Sequence, residues 1–237
     1  MLGTFLNVGG IILGGLAGLY LKPLSMANQA TLKVLLGAFT VFFGLQITWK
    51  SMHGSFFQVL KQLLVVVGGL ILGRLVGKLL RLQKLSNGAG KFARKRMEEI
   101  KPGQRGGSSD GFVICSLLFC VAPLAILGPV HEALGGYVQP LLIKTVVDAL
   151  SMMAFVTMFG GAAIFSFVPV LAFQGLLTLG LRALEPRLHA QVDPILAAGG
   201  FLVFSVALII LGLKKIEAAD YLPSLATTPL LAWLSGY

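Results

Sequence analysis

Long runs of apolar residues, interrupted by few charges, constrain this sequence more than any other feature. Seven of the runs are 18–25 residues long and an eighth is shorter. A helix needs about 20 apolar residues to cross the hydrocarbon of a bilayer. Only 12% of the residues are charged, whereas soluble domains carry about 25%, so the chain lacks the charge to cover a surface in water. The sequence predicts an all-α membrane protein with seven to eight transmembrane helices, forming a single transmembrane domain over residues 1–237.

The eighth run differs from the others. In chain order the runs are Leu2–Leu21, Leu32–Trp49, Phe56–Leu80, Phe112–Val130, Pro140–Met158, Ala162–Leu184, Ile195–Leu213 and Tyr221–Leu234. The last one holds Pro223 and Pro229, and proline breaks or kinks a helix interior. We therefore expect this segment to be irregular or only partly inserted.

Positive charge is concentrated between the third and fourth runs. Nine Lys and Arg residues lie between Lys78 and Arg105, against two acidic residues. Cytoplasmic loops of membrane proteins carry such an excess, so residues 81–109 are predicted to form a basic cytoplasmic loop that touches anionic lipid head groups. Phe92 is the one aromatic residue in this segment, so a stacking platform for nucleic-acid bases is missing. The expected partner is the lipid bilayer and not nucleic acid.

The first three runs and the last three follow a similar order of elements. Each group has a glycine-bearing helix, a loop, a second helix with a glycine near its start, and a third apolar segment. A shift of 163 residues aligns Gly37 with Gly200, although few other residues match. Because the two groups are five spans apart, they would enter the membrane in opposite senses. Residues 1–80 and 162–237 are thus candidate units of an inverted repeat, a common plan of secondary transporters.

Two helices carry glycine at every fourth position. Gly10, Gly14 and Gly18 share one face of the first span, and Gly69, Gly73 and Gly77 share one face of the third. Small residues at this spacing allow two backbones to approach closely. The faces are predicted to pack helices within the chain, with an oligomer interface or a sliding contact as the alternative.

The fifth span holds the most unusual pair of residues. Lys144 and Asp148 are four positions apart, so they lie on one helix face, and Ser151 lies beside them. A charge at a helix centre costs about 2.5–3.5 kcal/mol on insertion scales. The pair is therefore either a structural ion pair or part of a polar cavity that binds a small ionic solute or a proton, unless Lys144 extends to the interface. Asn7 and Gln174 are further polar residues that are predicted to converge on it.

Sequence signatures of zinc metalloproteases and of P-loop nucleotide-binding proteins are absent. The sequence has no H-E-x-x-H or P-loop motif, and His53, His131 and His189 are assigned to loops. Asp148 is taken to be the one acidic residue deep in a span, whereas hydrolysis within the membrane would need paired carboxylates or a Ser–His arrangement. We expect no enzyme activity, no cofactor and no metal site.

Three stretches of sequence resemble a known family. They are residues 2–7 (LGTFLN), residues 116–121 (SLLFCV), and Lys144-x-x-x-Asp148 followed by residues 167–175 (FVPVLAFQG). The chain is similar over nearly its whole length to the YdfK/YqgA-like bacterial inner-membrane proteins, a domain of unknown function numbered 554. The resemblance implies a multi-span protein of the bacterial inner membrane, often described as a candidate transporter, with no established substrate. Ala122-Pro123 departs from the glycine of many members and predicts a local kink.

The functional hypothesis that follows is a secondary transporter of a small ionic solute, with a homodimer as the favoured assembly. Lys144, Asp148, Ser151, Asn7 and Gln174 would line its site. Lys144 would hold an anionic group or modulate Asp148, which would carry the proton or cation. The alternatives are a channel-like ion pore, and a membrane scaffold in which the Lys–Asp pair is architectural.

Overall fold

The computed structural model describes residues 1–21, 25–99 and 107–236. These residues form ten α-helices and three short 3₁₀ helices, without a strand. The α-helices are α1 (Leu2–Tyr20), α2 (Met26–Lys50), α3 (Phe56–Leu79), α4 (Leu82–Glu98), α5 (Ser108–Val121), α6 (Leu124–Gly135), α7 (Gln139–Phe159), α8 (Phe167–Leu188), α9 (Val192–Ile210) and α10 (Ser224–Leu234). The chain is an all-α membrane protein, as predicted.

Candidate membrane spans are fewer in the described residues than the sequence predicts. Five helical stretches are long and apolar enough to cross a bilayer, or up to six if the bent pair α5–α6 is one span. One stretch, Gly161–Ile210, is 50 residues long and holds both α8 and α9. α10 has only eleven residues, about 16 Å of helix, against about 30 Å of hydrocarbon. The count of seven to eight spans stays a prediction.

Local sequence sets several helix ends. Ser25 precedes α2, and its side chain accepts a hydrogen bond from the Asn28 amide, as an N-cap does. Gly136, Gly160 and Gly212 follow α6, α7 and α9 with φ of 67°, 77° and 71°. Glycine adopts this left-handed region at no steric cost, so it ends helices.

The predicted basic cytoplasmic loop of residues 81–109 is mostly helix. α4 occupies Leu82–Glu98, and α5 begins at Ser108. α4 has a buried side at Ala93, whereas Leu85 and Phe92 are exposed. Residues 100–106, which include Lys101 and Arg105, lie outside the described residues. The sequence analysis did not predict this helix, although apolar residues recur at helical spacing among the charges; the cytoplasmic location of the segment stays a prediction.

Both glycine faces pack against other helices of the same chain. A Cβ added at Gly10, Gly14 or Gly18 would meet Thr145, Ala149 or Met153 of α7, and one added at Gly69, Gly73 or Gly77 would meet Thr228, Ser224 or Asp220. α1 and α7 therefore run in the same direction, whereas α3 and α10 run in opposite directions. Both glycine faces are therefore occupied within the chain, and they are not free to form an oligomer interface.

The helices form two groups joined by α6. One group contains α1, α5, α7 and α8, and its core includes Ile11, Phe119, Met152 and Val170. The other contains α2, α3, α9 and α10, where α2 packs along α9 and α3 along α10. α6 packs on α8 of the first group and on α9 of the second. The polar residues of interest lie in the first group.

Candidate functional site: a buried ion pair beside a broken helix

Lys144 and Asp148 form a buried ion pair in α7. The Nζ atom of Lys144 donates a hydrogen bond to Oδ2 of Asp148. The two residues are only 1% and 4% exposed, so Lys144 does not extend to the membrane interface. Asp148 is the tenth of the 21 residues of α7, close to the middle of the helix. The predicted pairing is thus present, and both charges are shielded from the bilayer by neighbouring helices.

The end of α5 covers the pair from one side. The Nζ atom of Lys144 lies 5.7 Å from the centre of the Phe119 ring, within the range of a cation–π interaction. Cys120, the next residue, is close enough for both charges to act on its thiol. α5 ends one residue later, at Val121. The ion pair therefore lies beside the point where this helix stops.

The chain breaks between α5 and α6 and turns by 53°. Pro123 disfavours helical backbone at the residue before it, and Ala122 is extended, with ψ of 137°. Because proline has no N–H, the carbonyl group of Phe119 also lacks its usual helical donor four residues later. The kink that the sequence predicted at Ala122-Pro123 is present, and the carbonyl group without its helical donor belongs to Phe119, the residue whose ring faces Lys144.

Asn7 and Gln174 lie together in the same group of helices. Nδ2 of Asn7 donates to Oε1 of Gln174 over 3.3 Å, and both residues are fully buried. The Asn7 amide is also close enough to the Asp148 carboxylate to interact with it. Four of the five predicted site residues are therefore connected through α1, α7 and α8. Their role in binding stays a prediction.

Several buried polar atoms around this contact have no hydrogen-bond partner within the described part of the chain. They include Oδ1 of Asn7, Nε2 of Gln174 and the hydroxyl groups of Thr4 and Thr178. Thr4 lies one turn from Asn7 in α1, and Thr178 lies one turn from Gln174 in α8. A buried polar atom without a partner costs about 1–3 kcal/mol. The contact region between α1 and α8 can therefore offer both donors and acceptors to a bound polar species.

Ser151 is not part of this arrangement. It is half-buried, and its hydroxyl donates to the carbonyl oxygen of Val147 over 2.8 Å. The side chain lines a cavity between α7, α2 and α9. Ser151 thus lies on the side of α7 that faces the second helix group.

Two buried ionisable residues of α6 escaped the sequence-based prediction. His131 is fully buried, with Nδ1 2.6 Å from the carbonyl oxygen of Leu127. Glu132 is 2% exposed, accepts a hydrogen bond from the Gly3 amide over 3.0 Å and pairs with the Met1 amine at 2.8 Å. His131 is therefore not in a loop, and Asp148 is not the only deep acidic residue. Gly135 and Gly136 form a helix-end signal. Taking that signal as the end of the fourth span would have placed His131 and Glu132 inside it.

The other two histidines, His53 and His189, lie outside the α-helices. His53 lies in the loop between α2 and α3, as predicted, whereas His189 starts a 3₁₀ helix. Among the described residues, no three His, Cys, Asp or Glu side chains are grouped as a metal site would require. Cys115 is buried and Cys120 is half-buried, and both are free thiols.

Comparison with known proteins gives one family and two relatives. The family described as "Protein of unknown function (DUF554)" matches residues 2–233. The "Uncharacterized membrane protein YdfK" of Bacillus subtilis (strain 168) is 29% identical over 99% of this chain and 96% of its own length. The "Uncharacterized protein YqgA" of Escherichia coli (strain K12) is 26% identical over 95% of this chain and 93% of its own length. No solved structure matches the chain. This chain therefore belongs to the DUF554 family of proteins of unknown function.

Proposed function

We propose that this protein is a secondary transporter of a small ionic solute across the bacterial inner membrane. The single observation that carries the proposal is the Lys144–Asp148 pair, which is buried near the middle of α7 beside the broken helix α5–α6. Charged residues inside membrane proteins mark solute and proton pathways in many cases. In this proposal Asp148 carries a proton or cation, and Lys144 holds an anionic group or modulates Asp148.

The break between α5 and α6 supports this assignment. Discontinuous helices form the binding sites of many secondary transporters, because helix ends and unwound backbone present free carbonyl and amide groups to the solute. Here the carbonyl group of Phe119 loses its helical donor to Pro123, and the Phe119 ring contacts Lys144. A solute at the ion pair would therefore meet backbone as well as side-chain partners.

Helix directions support the inverted repeat that we propose for residues 1–80 and 162–237. Gly15, in the second half of α1, approaches Ile164, which lies just before α8. Asn7, in the first half of α1, contacts Gln174 further along α8. α1 and α8 therefore run in opposite directions. α2 and α9 do the same, because Gly37 meets Leu211 and Thr48 donates to the carbonyl oxygen of Ala197. α3 and α10 are also antiparallel. Opposite directions of all three pairs are what an inverted repeat requires.

Helix bounds agree with the same repeat. Subtracting 163 from the residue numbers places α9 at positions 29–47, within α2, and α8 at positions 4–25, over α1. The homodimer also remains a proposal, and its interface must lie away from the two glycine faces, since both are occupied within the chain.

Flux through reconstituted protein tests the transport proposal. Proteoliposomes that contain a pH-sensitive dye would be given an inward proton gradient and a panel of amino acids, mono- and dicarboxylates, Na⁺ and K⁺. We expect at least one compound to give saturable flux, and D148N to reduce that flux at least tenfold. The matched control is E98Q, which alters an exposed carboxylate of α4.

Three outcomes would contradict the proposal. Unitary currents in a planar bilayer would indicate a pore. Flux that D148N leaves unchanged would place the site elsewhere. A folded protein without flux for any compound of the panel would favour a scaffold, in which Lys144 and Asp148 only join helices.

A further inference from the structure

The seam between the two helix groups contains a cavity of about 460 Å³. Its walls are the first turns of α2, the second half of α7 and the last turn of α9. α2 begins, and α7 and α9 end, at the same end of the helices, where α3 also ends and the basic helix α4 starts. By the positive-inside rule this end faces the cytoplasm. The cavity therefore lies in the cytoplasmic half of the membrane domain.

The chemistry of the cavity wall is that of an amphiphile site. Most of the lining is apolar, with Leu36, Leu150, Ile209 and Ile210 among its side chains. An apolar cavity tends to stay dry, whereas it accepts apolar ligands. The rim residues Ala154 and Ile209 are exposed, so the cavity opens to the side on which lipid chains lie. An acyl chain of the bilayer fits this lining better than water does.

A positive charge marks one end of the cavity. Lys33 lines it from α2 and is itself exposed. Lys214 and Lys215, which are also exposed, follow the end of α9 at Ile210. The cytoplasmic leaflet contains anionic lipids that attract basic residues at this level of the membrane. The charge at the rim is thus complementary to a phosphate head group.

We propose that the seam cavity binds an acyl chain of an anionic phospholipid, with the phosphate group of that lipid at Lys33. The bound chain would fill the gap between α2 and α7 and so join the two helix groups. It would also contact Val147 and Ser151, the cavity residues on either side of Asp148 in α7. The inference does not depend on transport, because lipid binding can be measured in a protein that moves no solute.

Native mass spectrometry of the purified full chain in a mild detergent tests the proposal. Phosphatidylglycerol and phosphatidylcholine with identical palmitoyl and oleoyl chains would be added in turn. We expect the wild type to retain one phosphatidylglycerol at least fivefold more strongly than phosphatidylcholine. K33Q is expected to remove this preference, while K50Q, at the opposite end of α2, keeps it. L150W, which fills the cavity, and A154F, which places a phenyl ring at the rim, are both expected to lose the bound lipid, whereas L142W on the exposed side of α7 retains it.

Several results would overturn the proposal. If K33Q binds phosphatidylglycerol as the wild type does, the lipid lies elsewhere, for example along α4. If sodium oleate displaces phosphatidylglycerol at equal concentration, the ligand is a free fatty acid. A third result concerns S151C in a C115S/C120S background. If a charged methanethiosulfonate reagent modifies it rapidly in proteoliposomes, the cavity holds water and not an acyl chain. Each result leaves the flux measurements on D148N unaffected, so this inference and the transport proposal can fail separately.

Discussion

Asn7 in α1 and Gln174 in α8 are joined by a hydrogen bond of 3.3 Å although 167 positions separate them in the chain. Each amide also has one buried atom without a partner among the described residues. The contact joins the first and last thirds of the sequence next to the Asp148 carboxylate. It is therefore the polar link that holds α1 and α8 in register beside the ion pair.

Removal of one amide should cost more than removal of both. We expect Q174L to lower the free energy of unfolding by about 1–3 kcal/mol, because it leaves the buried Asn7 amide unpaired. The double variant N7L/Q174L should recover at least half of that loss, since neither polar group remains. Thermal unfolding in detergent of N7L, Q174L and the double variant measures the coupling. Strictly additive effects would mean that the two amides do not support each other.

The ion pair predicts a larger effect of the same kind. Either D148L or K144M alone leaves a buried charge without its partner, which typically costs about 3–5 kcal/mol. The combined variant K144M/D148L should regain most of this loss and reach close to wild-type stability. The matched control is Arg94–Glu98 in α4, a pair with the same spacing but with side chains 80% and 68% exposed.

Equilibrium unfolding of both sets in micelles separates the two cases. R94A or E98A should change the free energy of unfolding by no more than about 1 kcal/mol, as exposed pairs do. Equal losses in the two sets would show that burial does not determine the strength of the Lys144–Asp148 pair.

Pro123 is predicted to maintain the break between α5 and α6. The variant P123A restores a backbone N–H for the carbonyl group of Phe119 and frees Ala122 from its extended conformation. We expect amide hydrogen exchange at residues 122 and 124 to slow at least tenfold as the helix becomes continuous. The control is P129A, since Pro129 lies inside α6, away from the break. Unchanged exchange in P123A would mean that the surrounding helices impose the bend.

The fold class and the central ion pair could be predicted because each depends on local sequence. Apolar runs of about 20 residues identify membrane helices wherever the helices pack, and a separation of four places Lys144 and Asp148 on one face. Asn7 and Gln174 were predicted to converge from their polarity alone. Their direct contact depends on how α1 packs against α8, which no local pattern encodes.

The errors have identifiable physical causes. Glu132 was assigned outside the fourth span because an acidic residue usually ends an apolar run, yet its carboxylate is satisfied by the amide of Gly3. α4 was assigned as a loop because its charges were taken as a sorting signal and not as one face of a helix. Ser151 was placed with Asp148 by sequence proximity, whereas its side chain faces the seam cavity. For Glu132 and Ser151 the deciding contact is with a distant part of the chain.

Glycines of α1 provide a matched test of close helix packing. A Cβ added at Gly14 would meet the backbone of Ala149 in α7, whereas one added at Gly9 would meet nothing within 4 Å. We expect G14A to lower the free energy of unfolding by about 1–3 kcal/mol through overpacking. G9A should instead be neutral or stabilising by up to about 1 kcal/mol, because alanine favours helix over glycine. Thermal unfolding of both variants in one detergent makes the comparison, and a G14A protein as stable as G9A would show that α1 and α7 are not in close contact.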